Sequence, residues 1–151
     1  MVESLGTSPT RAESDALVER YSAELLVEGW GLWAVEVLGG APFVGMVGLH
    51  RVGAALPCAP AVEVGWRLSP KHWGLGYATE GATMALRYGF NKLHGGGLNE
   101  IVAFTTLLNV RSQAVMGRIG MVRDVGADFD HPSLPESSPL RRHVLYRARP
   151  A

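Results

Sequence analysis

The chain has 151 residues and 47% hydrophobic content, enough for one domain with a buried core. Fourteen Lys and Arg residues balance fourteen Asp and Glu residues, so no global field attracts nucleic acid or an anionic membrane. No apolar run reaches the roughly 18 residues of a membrane span. The single cysteine, Cys58, excludes an internal disulfide and a Cys-based zinc site, and we expect a cytoplasmic protein.

The first predicted elements are a helix and a β-hairpin. Residues 8–28 carry apolar side chains at helical spacing, with Ser8 as the candidate N-cap and Gly29 as the stop. Residues 31–38 and 43–52 are rich in β-forming residues and are separated by a Gly-Gly-Ala-Pro turn. This pattern predicts a hairpin.

Residues 62–68 predict a third strand. Its apolar residues alternate with Glu63, Gly65 and Arg67, so the two sets lie on opposite faces of the sheet. Glu63 is therefore expected on the face away from the core.

The second half of the chain alternates helices and strands. In chain order we predict a helix over 78–93, a strand over 100–107, a helix that Asn109 caps and Gly120 ends, a long loop over 124–139 and a final strand over 142–148. The whole order predicts the α/β (α+β) class, with a mixed sheet covered by helices.

The stretch KHWGLGYATEG (71–81) places two glycines between the third strand and the second helix. Unpaired N–H groups at the positive end of a helix dipole can hold a phosphate, and Gly74 and Gly76 would allow close approach or positive φ. A plain chain turn is an equally good interpretation of these two residues. A dinucleotide fingerprint fails because Glu100 begins a strand where that motif needs an acidic residue at a strand's end, and no Walker A motif is present.

The same stretch resembles the pyrophosphate loop of the Gcn5-related N-acetyltransferases (GNAT), in which Arg or Gln is followed by two residues, a Gly, one further residue and then Gly or Ala. Lys71, Gly74 and Gly76 occupy the pattern, and Lys71 departs from the usual first residue. The phrases VEVGWRL, WGLGYATEG, NVRSQAVMGRIGM and HVLYR follow the order and spacing of the RimJ/RimL branch. The resemblance covers residues 29–149.

The resemblance implies acetyl-CoA as the acetyl donor. The third strand is expected to diverge from the next one, with the pantetheine arm in the gap and backbone N–H groups of the turn on the pyrophosphate. Lys71, His72 and Arg111 are candidate phosphate cations, or alternatively solvated surface charges. Asn109 either orients the pantetheine or Ser112, or only caps its helix. The expected cofactor contacts are Trp66, Arg67, Leu68, Lys71, His72, Trp73, Gly74, Leu75, Gly76, Tyr77, Ala78, Asn109, Arg111 and Ser112.

Acetyl transfer to an amine needs a base for the amine proton and an acid for the departing thiolate. Glu63 is the candidate base, with a structural carboxylate paired to Arg67 as the alternative. Ser112 is the candidate acid by the resemblance, although a serine at a helix start also serves as a cap. His131 is a second candidate base, and Trp33 is a candidate wall of the acceptor cleft.

No metal site is predicted, because His50, His94 and His143 have no carboxylate at metal-ligand spacing.

Members of the resembling family usually begin with a strand and a helix that this chain lacks. Their absence should leave the edge at residues 31–38 open, which favours a homodimer or a partner strand. We expect direct attack in a ternary complex by a protein N-terminal α-amine or a small-molecule amine. A catalytically degenerate domain that binds acetyl-CoA or a protein partner is the alternative.

Overall fold

The structure, a computed structural model, describes residues 9–92 and 97–151. Ser8, His94 and Leu93, the last residue of the predicted second helix, lie outside these residues. The helices are α1 (Arg11–Glu28), α2 (Tyr77–Lys92) and α3 (Val110–Arg118). The strands are β1 (Leu32–Val35), β2 (Gly45–Arg51), β3 (Val62–Leu68), β4 (Ile101–Thr106), β5 (Val122–Arg123), β6 (Phe129–Asp130) and β7 (Arg142–Ala148).

Within the described ranges, seven strands form one mixed sheet. Its order is β1-β2-β3-β4-β7-β5, and β6 also pairs with β7. All neighbouring strands are antiparallel except β3 and β4, which run parallel. This arrangement confirms the predicted α/β class with a mixed, mostly antiparallel sheet.

The sheet opens between β3 and β4. β3 pairs with β2 along its whole length, from Val62 opposite Arg51 to Leu68 opposite Gly45. Across the described residues, β3 meets β4 at the single pair of Glu63 and Val102. The two strands therefore diverge toward their C-terminal ends, as the resemblance implied.

The main core lies between the sheet and α2. The stripe predicted for this helix places Ala82, Ala85 and Leu86 in the core, with less than a tenth of each residue exposed. An added Cβ at Gly89 would lie 2.6 Å from Cδ1 of Ile101, so this glycine allows close approach of α2 to the sheet. A smaller cluster on the opposite face is formed by Val52, Val102, Phe129 and Leu145.

Helix α1 lies on the surface of the domain. It begins after Thr10, so the prediction that Ser8 caps it is wrong. The Thr10 hydroxyl accepts from the Glu13 N–H, and the Glu13 carboxylate accepts from the Thr10 N–H, which forms a capping box. Gly29 ends the helix in the left-handed conformation, as predicted. No residue of α1 is buried, although Tyr21 and Leu25 are half-buried.

Several predicted boundaries change. The strands predicted over 31–38, 43–52 and 100–107 are each shorter at both ends. The prediction of a continuous loop over 124–139 is wrong, because Phe129 and Asp130 pair with β7. A two-residue strand leaves no alternation in the sequence to detect.

Across the described ranges, no helix combines the length and the apolar composition that a bilayer crossing requires.

Candidate active site

A groove of about 1100 Å³ lies between the end of β3, the glycine turn and α3. Much of the cofactor set predicted from the sequence lines it. These residues are Trp66, Leu68, His72, Trp73, Gly74, Gly76, Tyr77, Ala78, Asn109, Arg111 and Ser112. Lys71 and Leu75 are exposed and do not line the groove, and Arg67 lines a neighbouring pocket instead.

The glycine turn needs its glycines for conformation. Gly74 and Gly76 have φ of 75° and 86°, and an added Cβ at either would meet no atom within 4 Å. Left-handed backbone therefore explains these glycines, and the space beside them is open. Helix α2 begins at Tyr77, so its first N–H groups, which lack helical acceptors, lie beside the groove.

Trp73 fixes the turn to its surroundings. Its indole N–H donates to the carbonyl oxygen of Leu68 at 2.8 Å, which ties the turn to the end of β3. The Arg111 guanidinium lies over the Trp73 ring, 4.9 Å from the ring centroid. This cation–π contact joins α3 to the turn.

Ser112 is held by Asn109. The Asn109 side-chain oxygen accepts from the backbone N–H of Ser112 at 3.1 Å, which caps α3. Its Nδ2 donates to the hydroxyl oxygens of Ser112 and Thr105, each at 3.0 Å. Asn109 therefore caps the helix and also orients Ser112. Because Ser112 accepts this bond, its own hydroxyl hydrogen stays available to donate.

A second pocket of about 190 Å³ adjoins the groove, and Trp66 and Ser112 line both. Its other walls come from α1, β1, β2, β3, β4 and α3. They are Tyr21, Leu32, Met46, His50, Glu63, Val64, Gly65, Arg67, Phe104, Thr105 and Met116.

His50 and Glu63 form a pair in this pocket. They are cross-strand neighbours on β2 and β3, and His50 Nε2 lies 3.0 Å from Glu63 Oε2. Burial raises the pKa of Glu63, and the bond from His50 offsets part of that rise. Burial alone would lower the pKa of His50, but the hydrogen bond and charge of Glu63 outweigh it and raise this pKa.

The partner of Glu63 differs from the alternative considered from the sequence, because His50 and not Arg67 pairs with it. From the sequence, His50 entered only the argument against a metal site, and no catalytic role was predicted for it. The signal that could have found it is the register of β2 against β3, which the intervening loop of ten residues hides.

Two other predicted residues lie away from both cavities. Trp33 packs edge-on against Tyr88 of α2, with ring centroids 5.4 Å apart. His131 packs against His143, with centroids 5.0 Å apart, and burial lowers the pKa of both histidines. Within the described ranges, no three His, Cys, Asp or Glu side chains are grouped so as to hold a metal ion.

The sequence model of the acetyltransferase (GNAT) domain matches residues 1–122. The chain belongs to the GNAT acetyltransferase family. GNAT acetyltransferases take their acetyl group from acetyl-CoA. The structure of an acetyltransferase from Agrobacterium tumefaciens has a TM-score of 0.73 to this GNAT domain, at 25% identity, over 99% of this chain and 78% of that one. A GNAT-family acetyltransferase from Bacillus anthracis gives 0.70 at 25% identity, over 93% and 75% of the two chains.

Curated relatives match shorter segments of this GNAT chain. The FsC-acetyl coenzyme A-N(2)-transacetylase of Aspergillus fumigatus is 48% identical over 59 residues, which are 39% of this chain and 24% of that protein. The uncharacterized N-acetyltransferase YnaD of Bacillus subtilis is 39% identical over 62 residues, 41% and 35% of the two. The matches thus span about a quarter and a third of those two relatives.

Proposed function

We propose that this GNAT domain transfers an acetyl group from acetyl-CoA to a primary amine by direct attack in a ternary complex. The observation that carries the proposal is that the groove and the Glu63 pocket meet at Ser112. A long ligand in the groove and an amine in the pocket would come together at a residue able to donate a proton.

The residues fit acetyl-CoA. The diverging edges of β3 and β4 offer backbone groups to a pantetheine arm, and the glycine turn offers N–H groups to a pyrophosphate. Trp73, Gly74, Gly76, Tyr77 and Ala78 would hold the pyrophosphate, with the Arg111 guanidinium and the His72 ring nearby. When bound, acetyl-CoA supplies the activated acetyl thioester.

Glu63 acts as the base in this proposal. An amine that enters the small pocket as an ammonium ion must lose a proton before it can attack, and the carboxylate faces that pocket. The raised pKa of Glu63 increases its affinity for this proton compared with an exposed carboxylate.

Ser112 acts as the acid. Asn109 fixes its oxygen and leaves its hydroxyl hydrogen free to donate toward the groove, where the sulfur leaves. His131 is the weaker candidate base, because it lines neither cavity.

The acceptor is a small-molecule amine or a protein N-terminal α-amine. A spermidine N-acetyltransferase from Vibrio cholerae shares this fold at 18% identity, and the Aspergillus relative is named FsC-acetyl coenzyme A-N(2)-transacetylase. We also propose membership of the RimJ/RimL branch, from the order of its four motifs. The cytoplasmic location stays a prediction from the sequence.

We further propose a homodimer in which a second copy pairs with β1. Within the described residues β1 has one strand neighbour, β2. Two large apolar side chains follow this edge strand and are exposed, Leu38 at 93% and Phe43 at 60%. An open edge of this kind favours pairing with another chain.

Calorimetric titration of acetyl-CoA tests the groove. The wild type should bind, whereas Gly74→Glu and Gly76→Glu should not, because both add negative charge where the pyrophosphate lies. Gly39→Glu is the matched control, since Gly39 also has a left-handed φ, of 74°, and open space but lies outside the groove. An equal loss of acetyl-CoA binding in all three variants would mean that backbone strain, and not negative charge in the groove, explains the loss.

An amine screen then tests the reaction. Glu63→Gln should lower kcat by about 10²- to 10⁴-fold while acetyl-CoA binding persists. Ser112→Ala should lower kcat in the same assay. Tight acetyl-CoA binding with no acetylated product from any amine would instead support the degenerate, non-catalytic alternative.

A further inference from the structure

The sheet holds the His50 ring against the Glu63 carboxylate, a contact that a carboxylate acting alone as a base would not require. The two residues are directly opposite on β2 and β3, so the sheet itself fixes their separation. The contact uses one carboxylate oxygen, Oε2, at 3.0 Å from His50 Nε2. The second oxygen, Oε1, is left for a group that enters the pocket.

The surroundings of the other ring nitrogen of His50, Nδ1, bear on which protonation state of the ring is stable. Nδ1 is buried and has no hydrogen-bond partner among the described residues. A protonated ring would bury a charged N–H there without an acceptor, which is costly, whereas the neutral ring buries only a lone pair. With Nε2–H donating to Glu63, the neutral ring is therefore a stable state of the pair.

Other charged groups near His50 have opposing effects. Glu24 and Arg20 of α1 act on His50 with opposite signs, and Arg67 lies on the same face of β3 as Glu63 and also lines the pocket. Tyr21 also lines the pocket, and the charge of Glu63 acts on the Cys58 thiol, which lies in the loop before β3. Glu63 is the only one of them within hydrogen-bond distance of His50 in the part of the chain that is described.

We propose that His50 is a positioning residue that acts through Glu63, so that the two accept the amine proton as one unit. This inference rests on the proposed acetyltransferase function. While His50 is protonated, its positive charge neutralises the carboxylate and makes it a poor base. When His50 loses that proton to solvent, its Nε2–H still holds Oε2 in place. Oε1 then takes the proton from the acceptor ammonium: an N–H bond breaks, an O–H bond forms, and the nitrogen lone pair is free to attack.

The pH dependence of kcat/KM tests this role. In the wild type the rising limb reports loss of the His50 proton. His50→Gln keeps an N–H donor but cannot titrate, so Glu63 should ionise alone and the limb should move to lower pH by about one unit or more. The same acceptor is used for both proteins, so the ionisation of the amine is common to both. An unchanged limb in an active His50→Gln variant overturns the inference and leaves the proposed function intact.

The titration of the His50 ring by NMR gives a second measurement that does not depend on turnover. The His50 signal is assigned by its loss in His50→Gln. Its pKa should lie above the ordinary value of about 6.5 in the wild type and fall below that value in Glu63→Gln, because burial alone lowers it. Glu24→Gln is the control and should shift this pKa much less.

The outcomes separate the two proposals. A His50 pKa that does not respond to Glu63→Gln overturns the coupled pair, whether or not the protein acetylates an amine. A wild type that binds acetyl-CoA but acetylates no amine overturns the proposed function, and the positioning role with it.

Discussion

Hydrogen bonds decide in which direction the Ser112 hydroxyl can donate. The side chain is buried, and Asn109 contacts both its backbone N–H and its hydroxyl oxygen. Asn109 can use its oxygen only for the N–H, so its NH₂ group must face the hydroxyl. The direction in which the serine hydroxyl can donate therefore follows from the identity of the N-cap residue.

His143 should make stability depend on pH. Burial lowers the pKa of His143, and its Nδ1 lies 3.0 Å from the Arg141 carbonyl oxygen. A histidine whose folded pKa is depressed binds more protons when unfolded, so its contribution to stability is present above about pH 6.5 and is lost as the pH falls below that value.

The test compares the wild type with His143→Gln. Urea unfolding between about pH 7.5 and 5.5, roughly one unit above and below the ordinary histidine pKa, gives the free energy of unfolding of each protein. The wild type should lose more stability on acidification than the variant, because the variant lacks one titrating group. Parallel curves for the two proteins would contradict the prediction.

At the scale of elements, two helical glycines should respond to alanine with opposite signs. Alanine generally stabilises a helix interior by about 1 kcal/mol relative to glycine. At Gly117 of α3 an added Cβ meets no atom within 4 Å, so Gly117→Ala should raise the free energy of unfolding.

At Gly89 of α2 the added Cβ would lie 2.6 Å from Ile101 Cδ1 and 3.0 Å from Leu49 Cδ1, and both side chains are fully buried. Overpacking of this kind costs about 1–3 kcal/mol, which exceeds the helical gain. Thermal unfolding of the two variants side by side measures the difference. A stabilised Gly89→Ala protein would show that α2 can move away from the sheet without cost.

The sequence predicts an element well when the element carries a long periodic pattern. β3 alternates over seven residues and has the predicted bounds, so the face of Glu63 is correct. β6 has two residues and no periodicity, so it was missed. The start of α1 was misplaced although the Thr10 and Glu13 spacing is a capping-box signature.

The site was predictable where it depends on local sequence. Asn109 and Ser112 are three residues apart at the start of one helix, and Gly74 and Gly76 belong to one turn. Because the members of each pair are close in sequence, the helix start or the turn alone brings them together. The pairing of His50 with Glu63 depends on strand register across a loop and could not be read from spacing. Lys71 lies in a 3₁₀ turn over Pro70–His72 and is exposed, a placement that the Gly-x-Gly pattern alone does not predict.

At the scale of the whole molecule, the edge strand β1 should decide the oligomeric state. The carbonyl groups of Gly31 and Val35 accept bonds from Leu49 and Val44, so strand alternation turns the N–H of Ala34 toward the open edge. Ala34→Pro removes this donor without breaking a bond to β2, and should convert the proposed dimer to a monomer.

Light scattering during gel filtration measures the change in mass. Ala34→Val is the matched control, because it keeps the N–H and favours a strand. A wild type that is monomeric at all concentrations would refute pairing through β1, and a dimeric Ala34→Pro variant would place the interface elsewhere.

The divergence of β3 and β4 leaves peptide groups on their facing edges without a strand partner in the described structure. Such groups should take up deuterium quickly, whereas those bonded to β2 and β7 should exchange slowly. Hydrogen–deuterium exchange with and without acetyl-CoA measures this difference, and a gap already protected in the free protein would contradict it. Slowed exchange of these groups on binding would mean that acetyl-CoA itself forms hydrogen bonds with the facing edges of β3 and β4. The donor substrate would then connect the two halves of the sheet.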